Sequence, residues 1–109
     1  VLVDVLCVGR FYDFFEKRGG QWRIVRRRLI YEKDRMDPVD PAATVQLDPE
    51  RLARFPEGYR HLGYLQSSNG FNVRTGLPGL RGPAVEKLYA EGNAWLAGAP
   101  TPGEPISNL

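Results

Sequence analysis

The chain has few of the residues that carry recognisable chemistry: of 109 residues one is cysteine, one histidine and one methionine. A lone Cys7 closes no intrachain disulfide, and its place in a run without basic neighbours marks it as a buried, inert thiol. A lone His61 has no cysteine or histidine companion, which leaves a metal site unsupported and makes it a surface or capping residue. The net charge of +2 is too small to make nucleic acid the default partner. No apolar run approaches the roughly 20 residues that span a bilayer. Residues 1–8 contain Asp4 and have neither a basic leader nor a cleavage site of small residues, so they read as a strand and not as a signal peptide. The expectation is one small cytoplasmic domain without membrane or nucleic-acid partners, since 42% hydrophobic and 26% charged residues suffice for a modest core.

What is present is a long hairpin. Two runs rich in Val, Ile, Phe, Tyr and Trp flank Gly19-Gly20, the signature of a two-residue turn with positive φ at both centres. A loop of two glycines pairs Lys17 with Trp22, Glu16 with Arg23, Phe15 with Ile24, Phe14 with Val25, Asp13 with Arg26 and Tyr12 with Arg27. Alternation then gathers Val8, Arg10, Tyr12, Phe14, Val25, Arg27, Leu29 and Tyr31 on one face. The opposite face collects Phe11, Asp13, Phe15, Ile24, Arg26, Arg28 and Ile30, a mixture read as solvated charge among apolar residues. The first face is the expected pocket. Its substrate-binding candidates are Arg27, Tyr12, Phe14, Val25, Leu29 and Tyr31, with Arg27 weighed against a plain ion pair to Asp4 or an acid in the tail. Each arm is too long to stay flat, and Gly9 marks a place for a bulge.

The run from Gly9 to Arg28 resembles the last two strands of SnoaL-like proteins in the nuclear transport factor 2-like superfamily. It keeps Gly9, Asp13, Phe15, Arg18, Gly20, Trp22, Arg23 and Ile24, with Phe11 where the family often has tyrosine. The resemblance implies an α+β cone, in which a curved sheet wraps helices around an apolar pocket. It also implies cofactor-independent lyase or isomerase chemistry of the dehydratase, cyclase or dehydrochlorinase type, worked by an Asp and His pair that lies upstream in the family. Neither is expected here, so the chain reads as the C-terminal portion of such a fold, with no catalytic residue of its own. Arg27 matches the arginine that the dehydrochlorinase places inside its pocket.

The expected organisation is a hairpin over residues 1–36, a loop over 37–56, a helical extension over 57–98 and a flexible tail over 99–109. Asp37-Pro38 ends the second strand because proline offers no ladder donor. Asp48 and Pro49 start a short helical turn. Tyr59, Leu62 and Leu65 space a second helix, and Val85, Leu88, Tyr89, Gly92, Trp95 and Leu96 form the stripe of a third. That stripe is assigned to contacts in a homo-oligomer, with closure over the chain's own hairpin as the alternative. The leading function is a pocket for an apolar small molecule. A non-catalytic ligand-binding or oligomerisation module is the alternative, and nucleic-acid binding through Arg23, Arg26 and Arg28 comes third.

Overall fold

The computed structural model describes residues 1–102. Two strands, β1 (Val3–Arg18) and β2 (Gln21–Pro38), form an antiparallel ribbon. It is followed by a single helical turn α1 (Pro49–Leu52), a 3-10 turn (Glu57–Tyr59), and helices α2 (Arg60–Ser68) and α3 (Pro83–Leu96). The fold class is α+β. Gly19 and Gly20 have φ of 56° and 82°, so the turn falls where the sequence places it and for the expected reason. β2 runs two residues beyond the expected end and takes in Pro38, because a terminal proline needs no ladder donor; Val39 N then donates to the Leu2 carbonyl at 3.0 Å. The tail expected over 99–109 lies, from residue 103 onward, outside the described residues.

The register corrects the sequence reading. Pairing holds from Arg18↔Gln21 to Phe15↔Ile24, then skips Val25 so that Phe14 faces Arg26, Asp13 faces Arg27 and Tyr12 faces Arg28. A second skip passes Glu32, between Gly9↔Tyr31 and Val8↔Lys33, beside the glycine expected to bend the ribbon. These two bulge residues account for the 18 residues of β2 against the 16 of β1. Each extra residue shifts the side chains beyond it to the other face, so the bulge at Val25 exchanges the sides of Arg26, Arg27, Arg28, Leu29, Ile30 and Tyr31.

α3 lies across the middle of one face. Phe14, Ile30, Val85 and Leu88 form the core, with Tyr12, Val25, Tyr89 and Trp95 packed around it. The stripe expected to meet another subunit thus closes over its own hairpin, while Leu96 at its end stays exposed. Gly92 sits at the closest approach: a Cβ there would run into the Tyr12 phenol oxygen. The 3-10 turn and α2 pack toward the open end of the ribbon, where the rings of Tyr31 and Tyr59 lie 4.7 Å apart. The loop before α3 is tied to the β2 edge by the Tyr31 amide, which donates to the Pro78 carbonyl at 2.9 Å.

Candidate functional site

The structure divides the six sequence-predicted site residues between two faces. Tyr12, Phe14 and Val25 belong to the packing beneath α3. Arg27 and Leu29 pair with Asp13 and Phe11 on the other side, and Tyr31 packs on Tyr59. A groove of about 300 Å³ wraps round the turn end of β1, bordered by Tyr12, Phe14, Phe15, Trp22, Gly92 and Trp95, so two of the six do reach an accessible cavity. The arginine beneath the helix is Arg26, which is 1% exposed and donates to the Glu91 carboxylate of α3 at 2.6 Å. The sequence reading took Arg26 for solvated charge paired with Asp13. The bulge gives that carboxylate to Arg27 instead.

On the uncovered face, Arg27 is held in a two-point clasp. Its Nε donates to Asp13 Oδ1 at 2.8 Å and its Nη2 to Asp13 Oδ2 at 3.0 Å, the planar match of guanidinium and carboxylate. Its guanidinium lies 4.3 Å from the Phe11 ring centre. The bond to Asp13 raises the Arg27 pKa further, so the cation is permanent. Around it stand Phe11 at 52% exposure, Phe15 at 50% and Trp22 at 67%, with Ile24 and Leu29 half-buried. A braced cation amid apolar rings can receive an apolar molecule with a negative or developing negative oxygen, since the arginine keeps further donors beyond those given to Asp13.

A second cluster escaped the sequence reading. Asp34, whose side chain is 1% exposed, accepts the His61 backbone amide at 3.0 Å and the Leu62 amide at 2.7 Å. The same carboxylate takes His61 Nδ1 at 2.8 Å. An ionised carboxylate only accepts, so Nδ1 carries the proton. Asp34 thus caps the first turn of α2 from a strand 27 residues earlier, a contact across the fold that local spacing around His61 does not reveal. Its cross-strand neighbour Cys7 is exposed, where burial was expected. The thiol is nevertheless pushed up, by local burial first and then by the Asp34 charge, and stays protonated at neutral pH. Burial likewise raises the phenol of Tyr31. Cys7 and Asp13, the β1 partners of Asp34 and Arg27, are six residues apart, or about 20 Å along the strand. One small molecule does not touch both, so the Asp34–His61 pair and Arg27 are not parts of one centre. Among the described residues, no group of three or more His, Cys, Asp or Glu side chains is placed to hold a metal ion, and no helix is long and apolar enough to cross a membrane.

These observations define an α+β unit: a bulged two-stranded ribbon, with α3 packed across one face, the 3-10 turn and α2 packed toward its open end, and an arginine-centred apolar patch on the face opposite α3. The chain is 42% identical over 103 residues to a PEP2-like protein of Fusarium vanettenii, covering 87% of this chain and 44% of that protein. It is 38% identical over 103 residues to Pea pathogenicity protein 2 of the same fungus, with the same coverage. An uncharacterised protein of Emericella nidulans is 35% identical over 109 residues, covering 88% of this chain and 46% of its own length. The chain thus spans less than half the length of these relatives. No protein-family profile matches it.

Proposed function

We propose that the ribbon is one wall of a SnoaL-like α+β cone and that its uncovered face, centred on Arg27, lines a pocket for an apolar small molecule bearing an anionic or enolisable oxygen. The observation that carries this reading is the Asp13–Arg27 clasp set among Phe11, Phe15 and Trp22. Keeping a permanent cation fixed among rings that stay half or more exposed serves recognition better than it serves packing. Arg27 keeps the role assigned from the sequence, and the bulge replaces its companions: Phe11, Phe15, Trp22 and Ile24 join Leu29, while Tyr12, Phe14, Val25 and Tyr31 turn to other packing. Chemistry on such a ligand is of the cofactor-independent lyase, dehydratase or cyclase type, with the proton-transferring Asp and His supplied from outside this chain. Arg27 then stabilises negative charge on oxygen as it develops.

A binding competition tests the reading. Anilinonaphthalene sulfonate, an apolar anion, is expected to quench Trp22 fluorescence, and Arg27→Leu to weaken its binding about tenfold. Neutral phenylnaphthylamine is expected to bind both proteins equally. Equal loss for both probes, or loss for neither, removes Arg27 from any anion-handling role. The alternative is a non-catalytic module that holds a ligand or joins copies into a homo-oligomer through the same exposed rings. It is favoured if sedimentation shows a dimer that Trp22→Ser dissociates.

A further inference from the structure

The two edges of the ribbon differ. Along β2 the loop before α3 lies alongside, with Tyr31 bridged to Gly79 and its amide bonded to the Pro78 carbonyl. Along β1, no strand among the described residues pairs with the outer edge. Both extra residues of the ribbon, Val25 and Glu32, belong to β2, so β1 keeps a regular pleat from Val3 to Arg18 without a bulge of its own or a proline. Every second residue of such a strand turns its N–H and C=O outward, and a long regular edge of this kind is a template for another strand.

The order of residues along that edge selects the strand. A second copy related by a two-fold axis through the sheet joins like faces, so its β1 runs antiparallel and facing positions are equidistant from one central residue. With Asp13 at the centre, Arg10 meets the partner's Glu16, Phe11 the partner's Phe15 and Tyr12 the partner's Phe14, each pair occurring twice. The run Arg-Phe-Tyr-Asp-Phe-Phe-Glu over 10–16 is thus its own complement, charge against opposite charge and ring against ring. The two Asp13 carboxylates at the axis are each neutralised by Arg27 of their own chain, at 2.8 and 3.0 Å. Arg10 holds Glu32 through Nε and Tyr89 through Nη2, which leaves Nη1 for a further oxygen. Other centres lose the match. A centre at Phe14 sets Arg10 against Arg18, and one at Tyr12 sets Arg10 against Phe14 and Phe11 against Asp13. A centre at Phe11 sets Leu6 against Glu16 and Val5 against Lys17. Arg10, Phe11 and Phe15 are exposed and Glu16 is half-buried, so the matching side chains are within reach of a second copy. Leu96, 79% exposed at the end of α3, borders the groove that wraps the same edge.

We infer that β1 is a dimerisation edge: two copies join β1 to β1, antiparallel and centred on Asp13, into a four-stranded sheet. The inference concerns the edge and not the open face, and it stands whether or not that face holds a ligand. In the joined sheet the partner's Phe15 comes beside Phe11, so the aromatic surroundings of Arg27 run on from one copy into the other.

Sedimentation equilibrium of the chain tests it, with a dimer expected at about 100 μM protein. Arg10→Glu sets glutamate against glutamate at both ends of the matched segment, and Glu16→Arg sets arginine against arginine. Each is expected to weaken the dimer about tenfold while the circular dichroism of the folded chain is unchanged. An equimolar mixture of the two variants is the decisive sample, because both contacts of the mixed dimer again join opposite charges. Recovery of the parent's association in that mixture supports pairing in this register, and damage to the fold of either variant would not produce it. The inference is overturned if the parent is monomeric, if neither variant weakens the dimer, or if the mixture associates no better than the variants alone. It is also overturned if only Trp22→Ser dissociates the dimer, which assigns the contact to the open face.

Discussion

Phe14 and Phe15 are neighbours of the same type on the same strand, yet one is 2% exposed and the other 50%. Strand alternation sends them to opposite faces, and at this end of the ribbon α3 lies on the Phe14 face. α3 reaches that face because Gly92 presents no side chain where Tyr12 rises from the sheet. The other face has equally apolar residues and a charged centre. Hydrophobicity of the ribbon is therefore a poor guide to its core; what decides is the shape of the element that lies on it.

The contrast should show first in stability. Leu88→Ala, beneath the helix, is expected to cost about 2–5 kcal/mol in urea unfolding, since a buried leucine leaves both lost contacts and a cavity. Phe15→Ala on the open face removes a larger side chain and is expected to change stability by no more than about 0.5 kcal/mol. Similar losses at the two positions would mean that the open face is covered in solution. Gly92→Ala probes the close approach itself. Alanine improves helix propensity by about 1 kcal/mol, but the clash with Tyr12 is expected to outweigh this, with a net loss within the roughly 1–3 kcal/mol usual for overpacking. In a Tyr12→Ala background, which removes the phenol oxygen and the ring carbons that crowd this position, Gly92→Ala is expected to cost little, and an equal cost there would place the strain elsewhere.

A smaller effect separates the faces by pH. Burial raises the phenols of Tyr31 and Tyr59 above their ordinary 10.0, and the Cys7 thiol lies above 9.0. The folded chain holds these protons more tightly than the unfolded chain. Their contribution is therefore full below about pH 9 and is lost as pH rises through the raised values. Tyr59→Phe is expected to lose about 1 kcal/mol at neutral pH with its bond to the Arg74 carbonyl. It should also flatten the alkaline limb of stability against pH; a steeper limb would contradict the assignment.

Much of the chain's local structure was legible. The Gly19-Gly20 turn, the Asp48 cap before Pro49 and the stripe on α3 all follow from short-range rules about φ, capping and periodicity. The Asp48 carboxylate, for example, accepts the Glu50 amide at 3.1 Å, as an N-cap should. The candidate site was legible only in part. Arg27 was singled out, but Arg26, Arg27 and Arg28 are chemically alike and consecutive, so their roles depend on register alone. The bulge at Val25 sets that register, and valine is not a residue type that announces one. His61 illustrates the same gap, since its partner Asp34 sits on a strand that local spacing never brings near it.

By itself the sequence determined where the chain turns, which segments are strand or helix and which helix face is apolar, because these depend on backbone preferences and on spacing within a few residues. Only the tertiary structure decided which arginine is buried, which is clasped by Asp13 and which face of the ribbon α3 covers. A single extra residue in a strand reverses every side chain beyond it, and its placement is selected by packing across the whole fold.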